Sequence, residues 1–317
     1  MNNADLPLIQ YTIWPEDLHG HRFKVKLHIS NPNPEGQIVQ MPSWIPGSYL
    51  IRDFSKHIES IEAFSSDSTK KKLALERIDN DQWRLPKCDC GVDIITTVYA
   101  FDNSVRAAYL DTERGFFNPT SLCLAVKGQT DTPCSLALTA PEEAFADDWT
   151  VQTSLQEAKT DERGFGYYLA QNYDDLIDHP IAMGDFQLVR WNSNNTNHIM
   201  AIQGCIHSID ASRLAKDLQA ICSCTIQLFE PKTQKPPFKN YLFLVNAVHS
   251  GYGGLEHRNS TALLCRRDQI PQKNIELDEA SYREFLGLCS HEYFHAWLVK
   301  RIQPKAFQPY QLNQRNY

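Results

Sequence analysis

Near the end of the sequence, Ser290-His291-Glu292-Tyr293-Phe294-His295 sets two imidazoles four residues apart, with a carboxylate beside the first. On a helix of 3.6 residues per turn, positions four apart lie one above the other, so His291 and His295 can grip a single metal ion. In the H-E-x-x-H pattern that ion is zinc: it polarises a scissile carbonyl and draws the pKa of a water toward about 7. Glu292 is then placed as the base that takes the proton. The chemistry is hydrolysis of an amide. Five matching residues in a core helix with two hydrogen-bonded histidines are the competing reading, so the surroundings matter.

Those surroundings are helical. Asp278 offers an N-cap, and Tyr282, Phe285, Leu286 and Cys289 recur at helical spacing as one apolar face. Leu288, His291, His295 and Leu298 form a second stripe, which sets the histidines against the interior. The helix is expected to run from Ser281 to Val299, with Lys300, Arg301 and Pro304 marking its end.

A chain of 317 residues suits two domains, each with its own core. Hydrophobic residues at 42% and charged residues at 22% are ordinary for a globular protein. The net charge of -7 comes without a basic block, which argues against a nucleic-acid surface. No run approaches a membrane span, and Met1-Asn2-Asn3-Ala4-Asp5 has neither a basic nor an apolar leader region, so a cytoplasmic location with no membrane partner is expected. The nine cysteines are expected to be free thiols; Cys88/Cys90 and Cys222/Cys224 lack the spacing of a zinc knuckle.

Ahead of the metal motif the chain reads first as strands, then as strands and helices in alternation. Phe23, Val25, Leu27 and Ile29 alternate with Lys24, Lys26 and His28, and further short strands follow between turn clusters, including Lys72 to Ile78 and Leu122 to Val126. This predicts a β-sandwich-like N-terminal domain. Two irregular segments interrupt it: Pro42 to Asp53, in which Tyr49 and Arg52 stand out, and Asp111 to Pro119. The turn-rich Trp191 to Asn197 is taken as the boundary, giving domains 1-192 and 193-317. Beyond it come a strand from His198, an Asp210-capped helix, the apolar strand Tyr241 to Val248, and Gly251-Tyr252-Gly253-Gly254-Leu255-Glu256-His257. The fold class is α+β.

The run H-E-Y-F-H-A-W-L-V-K-R-I-Q-P, the upstream G-G-L-E-H, P-S-W-I-P-G-S-Y-L-I-R-D-F near the start and I-D-H-P-I-A-M-G-D-F between them resemble the glycyl aminopeptidase family of zinc metallopeptidases. The resemblance implies an N-terminal β-domain, the first part of a thermolysin-like catalytic domain, and commonly a PDZ domain after it. It implies one zinc ion on His291 and His295, with Glu292 as general base. It also implies a substrate-binding role for Glu256 and His257, where related aminopeptidases hold the free amino group of a peptide. A carboxylate there pairs with an ammonium and fixes how many residues separate the N-terminus from the metal.

The third zinc ligand of this class is a glutamate on a following helix, and no Glu follows Glu292 before Tyr317. The chain is therefore expected to be an N-terminal fragment whose partner is the remaining C-terminal part, inactive or weakly active alone. The expected function is removal of N-terminal residues, glycine or alanine by the family name, from peptide substrates. The alternative is a non-catalytic peptide- or protein-binding module on a degenerate peptidase scaffold, against which the intact Glu292 argues.

Overall fold

The computed structural model describes residues 7–48, 50–305 and 310–312; Tyr49, the Pro309 and Asn313 positions and Asn316-Tyr317 lie outside them. The chain divides into two compact units. One holds the chain to Gly184, apart from Gln152–Ser154, together with the stretch from Tyr310; the other holds Gln152–Ser154 and Asp185–Pro309. The division thus falls at Gly184/Asp185, not at the expected 192/193. The Asn-rich turn is the reverse turn of a hairpin, in which Gln187–Ser193 pairs antiparallel with Thr196–Gln203. Asn194 and Asn195 take φ of 52° and 62°, the left-handed region that two-residue hairpin turns require.

In the first unit an eight-stranded sheet runs in the order Gln156–Thr160, Gly166–Ala170, Cys134–Leu138, Ile9–Asp17, Arg22–Ile29, Val92–Tyr99, Ile58–Ser65, Lys72–Leu73. Ile9–Asp17 and Cys134–Leu138 are parallel, and Arg22–Ile29 pairs antiparallel on both sides. The alternation along Arg22–Ile29 is as the sequence predicts, with Phe23, Val25, Leu27 and Ile29 buried and the residues between them partly exposed. Burying side chains of this size contributes about 1.5–3 kcal/mol each.

The irregular stretches are more ordered than their composition suggests. Asp111 to Pro119 contains a strand, Arg114–Phe117, paired with Ile181–Gly184 and Ala108–Leu110. Conversely, the expected strand Lys72 to Ile78 is two short pieces, Lys72–Leu73 and Glu76–Arg77, and only Ala125–Val126 of Leu122 to Val126 is extended. Trp44 is fully buried, its indole donating to the Gln311 carbonyl at 3.1 Å and meeting the Tyr310 ring edge-on. Arg52 donates to Ser48 Oγ, so this segment is a packed corner. Helix α1, Tyr173–Ile177, is a single capped turn. All nine cysteines are free, and no described helix is long and apolar enough to cross a membrane.

The second unit is a five-stranded sheet in the order Gln187–Ser193, Thr196–Gln203, Asn240–Val248, Ser260–Arg266, Gly253–Glu256. Its two central pairings are parallel, and the edge strand Gly253–Glu256 returns antiparallel. Helix α2, Ala211–Phe229, makes the crossover between parallel strands; Asp210 accepts from the Arg213 amide at 3.1 Å to start it. Helix α3, Glu279–Phe294, begins where Asp278 accepts from the Ala280 and Ser281 amides. One core joins both helices to the sheet: Leu214, Leu218, Cys222, Tyr282, Phe285 and Cys289 pack with Trp191, Phe243 and Val245. The fold class is α+β with a β-rich N-terminal unit, as expected from sequence.

Two expectations about α3 are corrected. The helix stops at Phe294, five residues before Val299, and residues 295–301 form hydrogen-bonded turns. The inward residues are Tyr282, Phe285, Leu288, Cys289, Glu292 and Tyr293, while His291 is exposed and His295 half-buried. The face that meets the core is set by the large side chains at 282, 285 and 293, which rotates the imidazoles to the rim.

Behind α3, Tyr293 is held by His198 on the second strand. His198 Nδ1 lies 2.9 Å from the Thr196 carbonyl, which can only accept, so Nδ1 donates and Nε2 accepts from the Tyr293 hydroxyl at 2.9 Å. Burial pulls the His198 pKa down to about 4. A histidine kept neutral in this way contributes stability that is complete above the unfolded pKa near 6.5 and is lost as pH falls toward 4. Between pH 7 and pH 5 the native chain is expected to lose about 2 kcal/mol more than a His198→Gln variant. Denaturant unfolding at the two pH values, followed by tryptophan fluorescence, measures the difference; equal losses would remove His198 as the cause.

Candidate metal centre

The end of α3 decides how the two imidazoles meet. The His295 amide still closes on the His291 carbonyl at 3.3 Å, but beyond it the Lys300 amide turns back to the His295 carbonyl and the Ile302 amide to that of Trp297. This tight reversal carries the Leu298 carbonyl to 2.6 Å from His295 Nδ1. A carbonyl only accepts, so the proton sits on Nδ1 and Nε2 is left with its lone pair. That Nε2 is 3.0 Å from His291 Nε2.

Two nitrogens bound at about 2.0–2.1 Å to one tetrahedral ion stand about 3.4 Å apart, so the pair needs to open by only a few tenths of an ångström to share zinc. Partial desolvation, and after it the neighbouring His295, hold the His291 pKa below its ordinary value, which favours the neutral ligating ring. The donor chemistry and the spacing both fit the ion that the sequence motif implies.

Two carboxylates join the imidazoles. Ligand atoms of Glu256, Glu292 and His295 all lie within 4.8 Å of one another. Glu292 is 5% exposed and Glu256 6%. Glu292 comes from the inward face of α3, and Glu256 from the last position of the edge strand Gly253–Glu256. The strand comes very close: a Cβ placed on Gly254 would stand 2.1 Å from Glu292 Oε1 and 2.3 Å from its Cδ. Only a glycine lets this backbone pass beside the carboxylate without displacing it.

His291, Glu292, His295 and Glu256 are therefore brought together. His257 lies outside the gathered donors and is 1% exposed, its amide closing the following turn on the Ser260 carbonyl at 3.0 Å. Two participants escape the sequence reading: the Leu298 carbonyl and the missing Cβ of Gly254. Both are backbone features with no side chain to betray them.

Residues 10–185 match the family described as the peptidase M61 N-terminal domain, and residues 284–317 match M61 glycyl aminopeptidase. Over 98% of its length the chain is 46% identical to an aminopeptidase N family protein from Idiomarina loihiensis, with a TM-score of 0.91, and it spans 51% of that protein. An M1 zinc metallopeptidase variant from Deinococcus radiodurans shares the fold at 6% identity, with a TM-score of 0.50 over 94% of this chain and 65% of that one. Yeast LTA4 hydrolase in complex with bestatin does so at 12% identity, with a TM-score of 0.50 over 93% and 44%. Comparison with curated proteins gives no match. On the two family matches and the identity carried along almost its whole length, the chain belongs to the M61 family of peptidases.

Proposed function

We propose that this chain carries the β-domain and the metal-gripping part of a zinc aminopeptidase. The observation that carries the reading is the convergence of His291 and His295, Nε2 to Nε2 at 3.0 Å, beside the buried pair Glu292 and Glu256. His291 and His295 hold the ion; when bound, zinc supplies Lewis acidity toward the scissile carbonyl and the attacking water.

The remaining steps belong to the chain. Glu292, itself 5% exposed, accepts the proton of the attacking water and returns it to the leaving amine. Glu256 pairs with the α-ammonium of the peptide. Because a Glu256 carboxylate oxygen lies within 4.8 Å of a carboxylate oxygen of Glu292 and a ring nitrogen of His295, the space between amine anchor and reacting centre suits one residue, consecutive Cα atoms being about 3.8 Å apart. The reaction is thus removal of a single N-terminal residue. The strand carrying Glu256 is at the sheet edge, where an extended peptide can add by main-chain pairing.

Zinc sites of this class take three protein ligands. With both carboxylates assigned to other tasks, the third ligand is expected outside residues 1–317, a stretch that spans 51% of the 46%-identical aminopeptidase N family protein. Peptides with an N-terminal glycine are the substrate class that the family description supports.

Three outcomes are expected. In the full-length protein, Glu292→Gln lowers kcat for a chromogenic aminoacyl substrate by about 10²–10⁴ while zinc measured by elemental analysis stays stoichiometric. Bound zinc with no hydrolysis by the wild-type full-length protein would instead favour a binding module. Residues 1–317 alone retain less zinc after dialysis than the longer protein, and equal retention and equal turnover in both would remove the need for an outside ligand. Glu256→Gln raises KM for peptides with a free amine about tenfold or more and leaves N-acetylated peptides unaffected.

A further inference from the structure

The two halves of the candidate site come from different elements: the imidazoles from the end of α3, and Glu256 from the edge strand. One side chain joins them. Arg301 Nη1 donates to the Ala296 carbonyl at 2.5 Å and to the Arg258 carbonyl at 2.9 Å, and Nη2 donates to the Pro237 carbonyl at 3.2 Å. The guanidinium carbon also stands 5.8 Å from the centre of the Phe238 ring.

Each acceptor belongs to a separate segment. Ala296 lies in the reversal between His295 and Leu298, the same reversal whose carbonyl fixes the His295 proton. Arg258 lies in the turn just after Glu256 and His257, and Pro237 lies in the approach to the strand Asn240–Val248. That turn is fastened from its other side as well, the Leu242 amide donating to the Asn259 carbonyl at 3.2 Å. A planar guanidinium can serve three carbonyls at fixed angles, whereas an ammonium on a flexible stem is a point donor.

We propose that Arg301 is a positioning residue: by clamping the post-helix reversal to the turn after Glu256, it sets the separation between the amine anchor and the imidazole pair. It touches neither substrate nor metal. Its effect is on register, so that a peptide held at its N-terminus by Glu256 presents its first carbonyl where Glu292 and the histidines can act. This rests on the aminopeptidase reading for its consequence, but the clamp itself does not.

The test uses the full-length protein with Arg301→Ala and Arg301→Lys, and two readouts. Amide hydrogen exchange across residues 255–260 is expected to quicken about tenfold in the Ala variant, the loss of a charge-assisted hydrogen bond or two, with exchange in α2 unchanged. The ratio of kcat/KM for a free-amine peptide to that for its N-acetylated form is expected to fall about tenfold, to be partly restored by Lys, and to recover in the Ala variant when guanidinium ion is added.

Unchanged exchange in 255–260 would overturn the clamp. So would an equal fall on both peptides accompanied by zinc loss, which is the mark of a merely structural residue. If the wild-type protein shows no preference for a free amine, the aminopeptidase reading falls, and the exchange result alone decides for or against Arg301.

Discussion

Two carboxylates that are almost fully buried lie within 4.8 Å of one another and of an imidazole, and this crowding of like charge governs the second unit. At an effective dielectric near 20, two unit charges this close repel by about 3.5 kcal/mol. Such a pair is accommodated by a shared proton or by a positive group placed between them. The surroundings are built to receive it: one imidazole has its proton committed to a backbone carbonyl, and its other nitrogen faces a second ring. A divalent ion placed there would offset the negative charge of the group. The hydrophobic core beneath, from Trp191 and Phe243 to Tyr282 and Phe285, holds α3 against the sheet so that these charges cannot drift apart.

Much of that arrangement was legible in the chain. The spacing of His291, Glu292 and His295 and the Asp278 and Asp210 caps are local features, and local features survive folding intact. So is the strict alternation from Phe23 to Ile29. Where the reading failed, distant contacts had decided. The Asn-rich turn at 193–196 has the composition of a linker, yet a hairpin turn draws on the same residues. The sequence carries the helix to Val299 because Leu298 continues the stripe of Leu288, His291 and His295 and Pro304 lies beyond it, while the structure closes the helix after Phe294 and turns residues 295–301 into a reversal.

The histidines' exposure shows the same limit. Periodicity gave two candidate stripes on α3, and no rule of spacing could say which would face the sheet. The choice fell to side-chain volume and to the Tyr293 hydroxyl, which finds His198 inside. Polar partners of this kind, far apart in sequence and buried together, are invisible until the strands are in order.

The close pass of Gly254 beside Glu292 has a further consequence for the peptide site proposed above. With Gly253 next to it, two consecutive positions of the edge strand offer a visitor bare peptide groups. Main chain is what every polypeptide has in common, so this wall is blind to the identity of the residues that lie along it and sensitive only to their being extended. On the proposed aminopeptidase reading, selectivity for the terminal residue is then exercised elsewhere, by the surfaces that border Glu256.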